Sequence, residues 1–208
     1  MKIKRHPWGP YTIETKVEQE FVDILLEKGN ESREKNLDNR KHLAGQIENE
    51  YYYKDYEPWF TPLFDPYVSK YYTGAHEEGL QFFSKPVVGY SMISLWINYQ
   101  QANEYNPPHN HGGDLSFVLY LQVPEEIKQE NKERKHEHNN PGPGMICFDL
   151  GPAMPFSCTR VGLMPEVGDL IIFPAWLQHH VNSFKADVER ISVSGNLNWQ
   201  RVEWEFGE

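Results

Sequence analysis

The stretch Val87–Gln100, VVGYSMISLWINYQ, is rich in β-branched and aromatic residues, and Leu115–Val123, LSFVLYLQV, has the same character. Such segments favour β-strands. Shorter segments of this kind follow, separated by glycine, proline and asparagine; they are Met145–Leu150, Phe156–Val161, Asp169–Phe173 and Arg190–Asn198. No helical periodicity interrupts the chain from Lys85 onward, so we expect a mainly β fold of antiparallel strands, in a sandwich or barrel.

The first third of the chain has helical periodicity instead. A capping-box sequence at Thr15–Glu18 precedes apolar residues on one helical face, and Gly29 ends the pattern. A second helix is predicted to begin at Asp65, with Pro66 at its first position. We expect a single domain, residues 1–208, in which a helical and connecting part, residues 1–85, packs on a β core formed by residues 86–208.

The composition and net charge of the chain argue against several classes of function. The 208 residues carry 20 Lys and Arg against 30 Asp and Glu, a formal net charge of −10. So acidic a chain disfavours binding to nucleic acid or to an anionic membrane. The 2 cysteines, Cys147 and Cys158, form no CxxC pair, and the N-terminus has no apolar run that would indicate a secretory signal. We therefore expect a cytoplasmic protein.

His109 and His111 form the first of two histidine clusters. On a strand, residues two apart share a face, so both imidazoles can reach one point, and Asp114 follows across a Gly-Gly turn. Imidazole is a common metal ligand because it offers a lone pair while uncharged. Taken alone, this cluster fits either a metal site or two exposed loop histidines.

The second cluster follows an apolar strand. His179 and His180 are adjacent, so their side chains diverge, and we expect His179 to face the core and His180 to face outward. On the next predicted strand Arg190 and Ser192 share a face. A guanidinium on an inward face is costly to bury unless it meets an anion, and a carboxylate, bound through two hydrogen bonds, is the natural partner.

These patterns, in this order, resemble the 2-oxoglutarate/Fe(II)-dependent dioxygenases, and more narrowly a partly phage-borne branch of that superfamily. The segments that carry the narrower resemblance are Trp96–Asn98, His109–His111, Ser116–Leu121 and Phe173–His179. The resemblance covers about Val87–Asn198. It implies a double-stranded β-helix, the jelly-roll barrel shared with cupins, with Fe(II) near one mouth and 2-oxoglutarate bound by the metal and an arginine. It also implies a hydroxylase that uses dioxygen and acts on a protein side chain or a small molecule.

Carried over to this sequence, the resemblance makes His179 the distal iron ligand. Arg190 becomes the partner of the far carboxylate of 2-oxoglutarate, and Ser192 adds a hydroxyl to the same group. The superfamily has a carboxylate two residues after the first histidine, where this sequence has His111. Either His109 and His111 both bind the metal, or Asp114 completes a set of two histidines and one carboxylate.

The roles of two more polar residues, and one alternative function, are left undecided by the sequence. Asn98 and Tyr120 lie on strands expected to flank the pocket, where either could bind the co-substrate or be satisfied by backbone in the core. The alternative is a cupin-like metal-binding protein or non-oxidative enzyme that does not use 2-oxoglutarate. In such a protein, no dicarboxylate co-substrate would require the side chain of Arg190 to face the metal site.

Two further segments allow two interpretations each. Glu125–Asn140 has almost no apolar residue, so we expect a solvated excursion that is either a lid or a decoration. The aromatic-rich Tyr51–Phe60 could line a substrate cleft or form part of the core.

Overall fold

The computed structural model describes residues 9–42, 44–80, 86–134, 141–152 and 154–202. The strands in these ranges are β1 (Ile13–Lys16), β2 (Glu50–Tyr52), β3 (Val87–Gln100), β4 (Asn106–His109), β5 (Leu115–Gln122), β6 (Ile146–Asp149), β7 (Arg160–Leu163), β8 (Asp169–Pro174), β9 (Gln178–Val181) and β10 (Arg190–Arg201). The α-helices are α1 (Gln19–Glu34), α2 (Glu57–Glu77) and α3 (Glu125–Lys132). No helix among the described residues is both long and apolar enough to cross a membrane.

The strands form two antiparallel sheets that face each other. A six-stranded sheet has the order β1-β8-β5-β10-β3-β2, and a four-stranded sheet has the order β4-β9-β6-β7. Buried residues from both sheets form one apolar cluster between them, including Val118 and Phe173 from the larger sheet and Ile146 and Val181 from the smaller. This is the predicted double-stranded β-helix.

The longest predicted strand is confirmed to the residue, since β3 spans Val87–Gln100. One shorter strand is displaced, because β7 begins at Arg160 and not at Phe156. Phe156 has a positive φ of 61° and is fully exposed, and it follows Pro155. A proline and a left-handed residue cannot continue a regular ladder, so pairing with β6 starts only after this turn.

The helices begin and end at other residues than predicted. Thr15 belongs to β1, where it pairs with Leu170 of β8, and the N-cap of α1 is Glu18, which makes no side-chain capping bond. Helix α1 also continues past Gly29 to Glu34. Beyond the glycine, Ser32 is buried and the Arg33 guanidinium lies 4.4 Å from the centre of the Tyr99 ring of β3. These tertiary contacts outweigh the glycine's low helix propensity.

Helix α2 begins at Glu57 and not at Asp65, and it contains Pro62 and Pro66. Both prolines are exposed, whereas the opposite face buries Phe60 and Phe64 completely. These two rings pack against Phe117 of β5 at centroid distances of 5.8 and 4.3 Å. The apolar burial therefore sustains a helix that the prolines alone would interrupt. In the aromatic-rich segment, Tyr53 and Phe60 are core residues on the outer face of the larger sheet.

Gly29 lets α1 approach the larger sheet closely. A Cβ at this position would collide with Ile97 Cδ1 and lie 3.0 Å from Tyr53 Oη and 3.2 Å from Tyr99 Oη. We expect Gly29→Val to lower the free energy of unfolding by about 2 kcal/mol, as overpacking of a filled core does. Urea denaturation measures this change. Glu27→Val at an exposed position of the same helix is the control, and an equal effect of the two substitutions would contradict the packing argument.

The polar segment after β5 is a docked helix over its first half, so the expectation of a solvated excursion is wrong for Glu125–Lys132. Ile127 is fully buried, and its side chain fills the space beside Gly144 that a Cβ would occupy. Glu130 Oε2 accepts the backbone N–H groups of Lys185 and Ala186 at 2.8 and 3.2 Å. One buried apolar residue and one backbone-capping carboxylate thus fix α3 to the barrel. Residues 135–140 lie outside the described ranges.

Candidate active site

Three histidines from two distant stretches of the chain converge between the sheets. Strand β4 pairs with β9 and places His109 directly opposite His179. His111 follows the end of β4, where its backbone N–H donates to the Ala175 carbonyl at 2.9 Å. The nitrogen atoms available for a metal in the three imidazoles lie within 4.8 Å of one another. This separation allows one cation to reach all three side chains.

Backbone carbonyls orient two of these imidazoles. His109 Nδ1 lies 2.6 Å from the Pro107 oxygen, and His179 Nδ1 lies 2.9 Å from the Leu177 oxygen. A carbonyl oxygen only accepts hydrogen bonds, so each Nδ1 carries the hydrogen and each Nε2 keeps its lone pair. Backbone contacts of this kind commonly fix the tautomer of a metal-binding histidine.

Burial keeps the cluster uncharged. Loss of solvation lowers the pKa of His179 to about 3 and that of His111 to about 4, and it lowers the pKa of His109 as well. The imidazoles are therefore neutral near neutral pH, which is the form that binds metals.

Asp114 lies outside the histidine cluster. Its carboxylate accepts the backbone N–H of Trp199 at 2.8 Å and Nη2 of Arg201 at 2.7 Å, so it fastens the loop after His111 to the end of β10. His180, next to the clustered His179, points the other way, and its Nδ1 lies 3.1 Å from Asp149 Oδ2. The structure thus brings together the three histidines and directs Asp114 and His180 elsewhere.

Arg190 is a buried cation that meets no anion among the described residues. Its side chain lies inside the barrel, where the residue is 3% exposed. Nη1 donates to the Gly144 carbonyl at 2.7 Å, and Nη2 donates to Gln100 Oε1. Nε has no partner in the described part of the chain. Two neutral acceptors thus position the guanidinium and leave its charge uncompensated.

The histidines and Arg190 line the same cavity, together with Ser192, Asn98 and Tyr120. Asn98 Nδ2 donates to Ser192 Oγ at 3.4 Å, whereas Asn98 Oδ1 and the Tyr120 hydroxyl find no partner among the described residues. Buried polar atoms without partners are costly. Their presence here indicates that a polar ligand completes the cavity.

Sequence reasoning missed two partners of Arg190, Gln100 and Gly144, and two residues that line the cavity. Gln100 lies on the same face of β3 as Asn98, and strand alternation could have found it. Gly144, which binds Arg190 through its carbonyl, carries no sequence signal. Ile47 and Asn106 also line the cavity, and they come from a loop and from the start of β4.

Residues 94–196, about half of the chain, match the family model described as "Putative 2OG-Fe(II) oxygenase". The chain belongs to the 2-oxoglutarate/Fe(II)-dependent oxygenases. The matched range contains all three clustered histidines and Arg190. The cofactor of this oxygenase is Fe(II), and its co-substrates are 2-oxoglutarate and dioxygen. No curated protein sequence matches the oxygenase significantly.

Solved structures share the fold of this oxygenase at low sequence identity. A prolyl-4-hydroxylase from Pseudomonas putida is 16% identical with a TM-score of 0.54, over 94% of each chain. A Trichoplax adhaerens prolyl hydroxylase, in complex with a hypoxia inducible factor peptide, is 11% identical with a TM-score of 0.53, over 91% of this chain and 83% of that one. The carbocyclase SnoK from nogalamycin biosynthesis is 11% identical with a TM-score of 0.57, over 92% and 80%.

Proposed function

We propose that this oxygenase binds Fe(II) through His109, His111 and His179 and binds the far carboxylate of 2-oxoglutarate through Arg190. The observation that supports this most strongly is the guanidinium without an anion, buried in the same cavity as three neutral imidazoles. A dicarboxylate supplies the charge that the guanidinium lacks. The hydroxyls of Ser192 and Tyr120 line the same cavity and can bind the same ligand.

The ligand set that we propose consists of three histidines. Asp114 supports this choice because its carboxylate already binds Trp199 and Arg201. Imidazoles suit iron, and three ligands on one side leave positions for 2-oxoglutarate and dioxygen. The chain thus differs from the usual set of two histidines and one carboxylate.

The reaction that we propose is hydroxylation of a C–H bond in a protein side chain or a small molecule. Dioxygen would be the oxidant and bound Fe(II) would activate it: one oxygen atom enters the C–H bond, and the other enters succinate as 2-oxoglutarate loses CO2. The protein holds the metal, orients the co-substrate through Arg190 and excludes water with apolar residues such as Trp96 and Phe173. Two structural neighbours are prolyl hydroxylases, which supports hydroxylation as the outcome.

The ligand set predicts opposite outcomes for two neighbouring substitutions. His111→Ala removes a ligand, so we expect the affinity for Fe(II) to fall by about 100-fold or more. This loss exceeds the one that is typical when only a residue hydrogen-bonded to a metal ligand is removed. Asp114→Asn should leave that affinity unchanged and lower stability by about 1 kcal/mol, through the weaker bonds to Trp199 and Arg201. Anaerobic equilibrium dialysis with metal analysis measures the affinity, and urea denaturation measures the stability.

The reverse pattern would contradict the three-histidine site. If Asp114→Asn lost Fe(II) while His111→Ala retained it, the metal would be bound by two histidines and one carboxylate.

A further inference from the structure

The proposed site has an electrostatic imbalance. Fe(II) carries two positive charges, 2-oxoglutarate carries two negative charges and Arg190 adds one positive charge. The three imidazoles are neutral, so the filled cavity keeps one positive charge that the carboxylate ligand of the usual set would cancel. An uncompensated charge in a buried site is unfavourable. A negative group close to the cavity would therefore stabilise the loaded state.

Glu50 is a buried carboxyl group beside this cavity. Strand β2 pairs with β3 and places Glu50 directly opposite Asn98, which lines the cavity. Side chains opposite each other in an antiparallel pair share a face, with Cβ atoms about 5 Å apart. A Cβ at Gly45 would lie 3.1 Å from Glu50 Oε1 and closer still to Asn106 Oδ1. Glu50 Oε1 and the side chain of Asn106, which begins the strand bearing His109, thus both border the point beside Gly45.

No cation neutralises Glu50 within the described ranges. The residue is 1% exposed, Oε2 makes no hydrogen bond, and no ion pair involves this carboxyl group among the residues described. The charged groups whose fields act on it are Arg40, Asp38 and Glu104. Arg40 is itself bound to Asp38 at 2.8 Å, and Glu104 adds a further negative charge. These neighbours leave the carboxyl group without a counterion.

The metal-free protein keeps this group neutral near neutral pH. Burial, reinforced by the charge of Glu104, raises the pKa of Glu50 to about 8. A protonated Glu50 has a hydrogen to donate, and the unpaired Asn98 Oδ1 lies at the neighbouring position of the sheet. The neutral form therefore suits the empty cavity, and the ionised form suits a cavity that has gained positive charge.

We infer that Glu50 is a charge-compensating residue, which releases its proton to solvent when Fe(II) and 2-oxoglutarate bind and so supplies the negative charge that a three-histidine ligand set lacks. This inference rests on the proposed function. A buried charge beside a cation site changes the cation affinity by roughly tenfold, because a Coulomb interaction within protein is only weakly screened.

Calorimetric titration tests the inference through binding and proton release, without turnover. Fe(II) is titrated anaerobically into the protein with saturating 2-oxoglutarate near neutral pH, in two buffers of different ionisation enthalpy. We expect the unmodified protein to release nearly one proton more than Glu50→Gln and to bind Fe(II) about tenfold more tightly. Glu48→Gln, an exposed position in the same segment, is the control and should behave as the unmodified protein does. Above about pH 8 the difference in proton release should vanish, since Glu50 is then ionised before loading.

Unfolding of the metal-free proteins provides a second readout. The unfolded chain loses the Glu50 proton near its ordinary pKa of 4.5, whereas the folded protein keeps it to about 8. The folded state therefore binds more protons between these values, and its stability falls as pH rises through that range. Glu50→Gln lacks this loss, so we expect it to fold and to be more stable than the unmodified protein at neutral pH.

Two outcomes would overturn the inference, and they differ from each other. If both proteins bound Fe(II) with equal affinity and equal proton release, Glu50 would have no compensating role while the proposed function stood. If the unmodified protein did not bind Fe(II) with 2-oxoglutarate, the proposed function would fail and this inference with it.

Discussion

His179→Ala is expected to abolish the slow production of succinate that we predict for the unmodified protein with Fe(II), 2-oxoglutarate and dioxygen in the absence of any substrate. His179 is the ligand that comes from the second stretch of the chain, and it is the most buried of the three histidines. Without it, His109 and His111 alone would have to hold the metal. We expect a loss of at least about 100-fold, since even residues that only support a metal ligand contribute up to that amount.

His180→Ala is the matched control for this variant. It removes an imidazole at the adjacent position, whose ring faces Asp149 and not the cavity. We expect its succinate production to stay close to that of the unmodified protein. Normal turnover in His179→Ala, or an equal loss in both variants, would refute the assignment of His179 as a ligand.

Arg190→Ala is expected to raise the KM for 2-oxoglutarate by tenfold or more. The guanidinium is the cation that we assign to the far carboxylate, and a hydrogen bond to a charged group contributes about 1.5–3 kcal/mol. The substitution also leaves Gln100 Oε1 and the Gly144 carbonyl without their donor, so some stability is lost. Arg190→Lys keeps the charge but loses the planar pair of donors, and we expect an intermediate KM.

The measurement is succinate production as a function of 2-oxoglutarate concentration, with Arg160→Ala as the control. Arg160 is more exposed, and its guanidinium binds Asp149 on the edge of the smaller sheet. Its removal should leave the KM unchanged. An unchanged KM in Arg190→Ala would contradict the assignment of Arg190 to the far carboxylate of 2-oxoglutarate.

The strands that position the site were largely predictable. β3 and β5 are long runs of β-branched and aromatic residues, and such runs are strong local signals. The short strand β4 could not be predicted, because it contains Pro107 and Pro108 and depends on pairing with β9. Helix α2 was predicted too short because it contains two prolines, which usually interrupt a helix. Both prolines are exposed, and the opposite face is held by packing on the sheet, which the local sequence does not reveal.

The same distinction applies to the site. His179 and His180 diverge as strand geometry predicts. His111 joins His109 as its spacing suggested, but it lies beyond the end of β4 and not on the strand. The position of Asp114 depends on Trp199, which is far away along the chain. Glu50 has no local signal, since its burial follows from the pairing of β2 with β3.

The most direct test of the proposed site is visible absorption spectroscopy without oxygen. Binding of 2-oxoglutarate to protein-bound Fe(II) gives rise to a charge-transfer band. The unmodified protein should show this band, His179→Ala should not, and Arg190→Ala should require a much higher concentration of 2-oxoglutarate to develop it. A band that is missing from the unmodified protein, or that both substitutions leave unchanged, would contradict a site built from these histidines and this arginine.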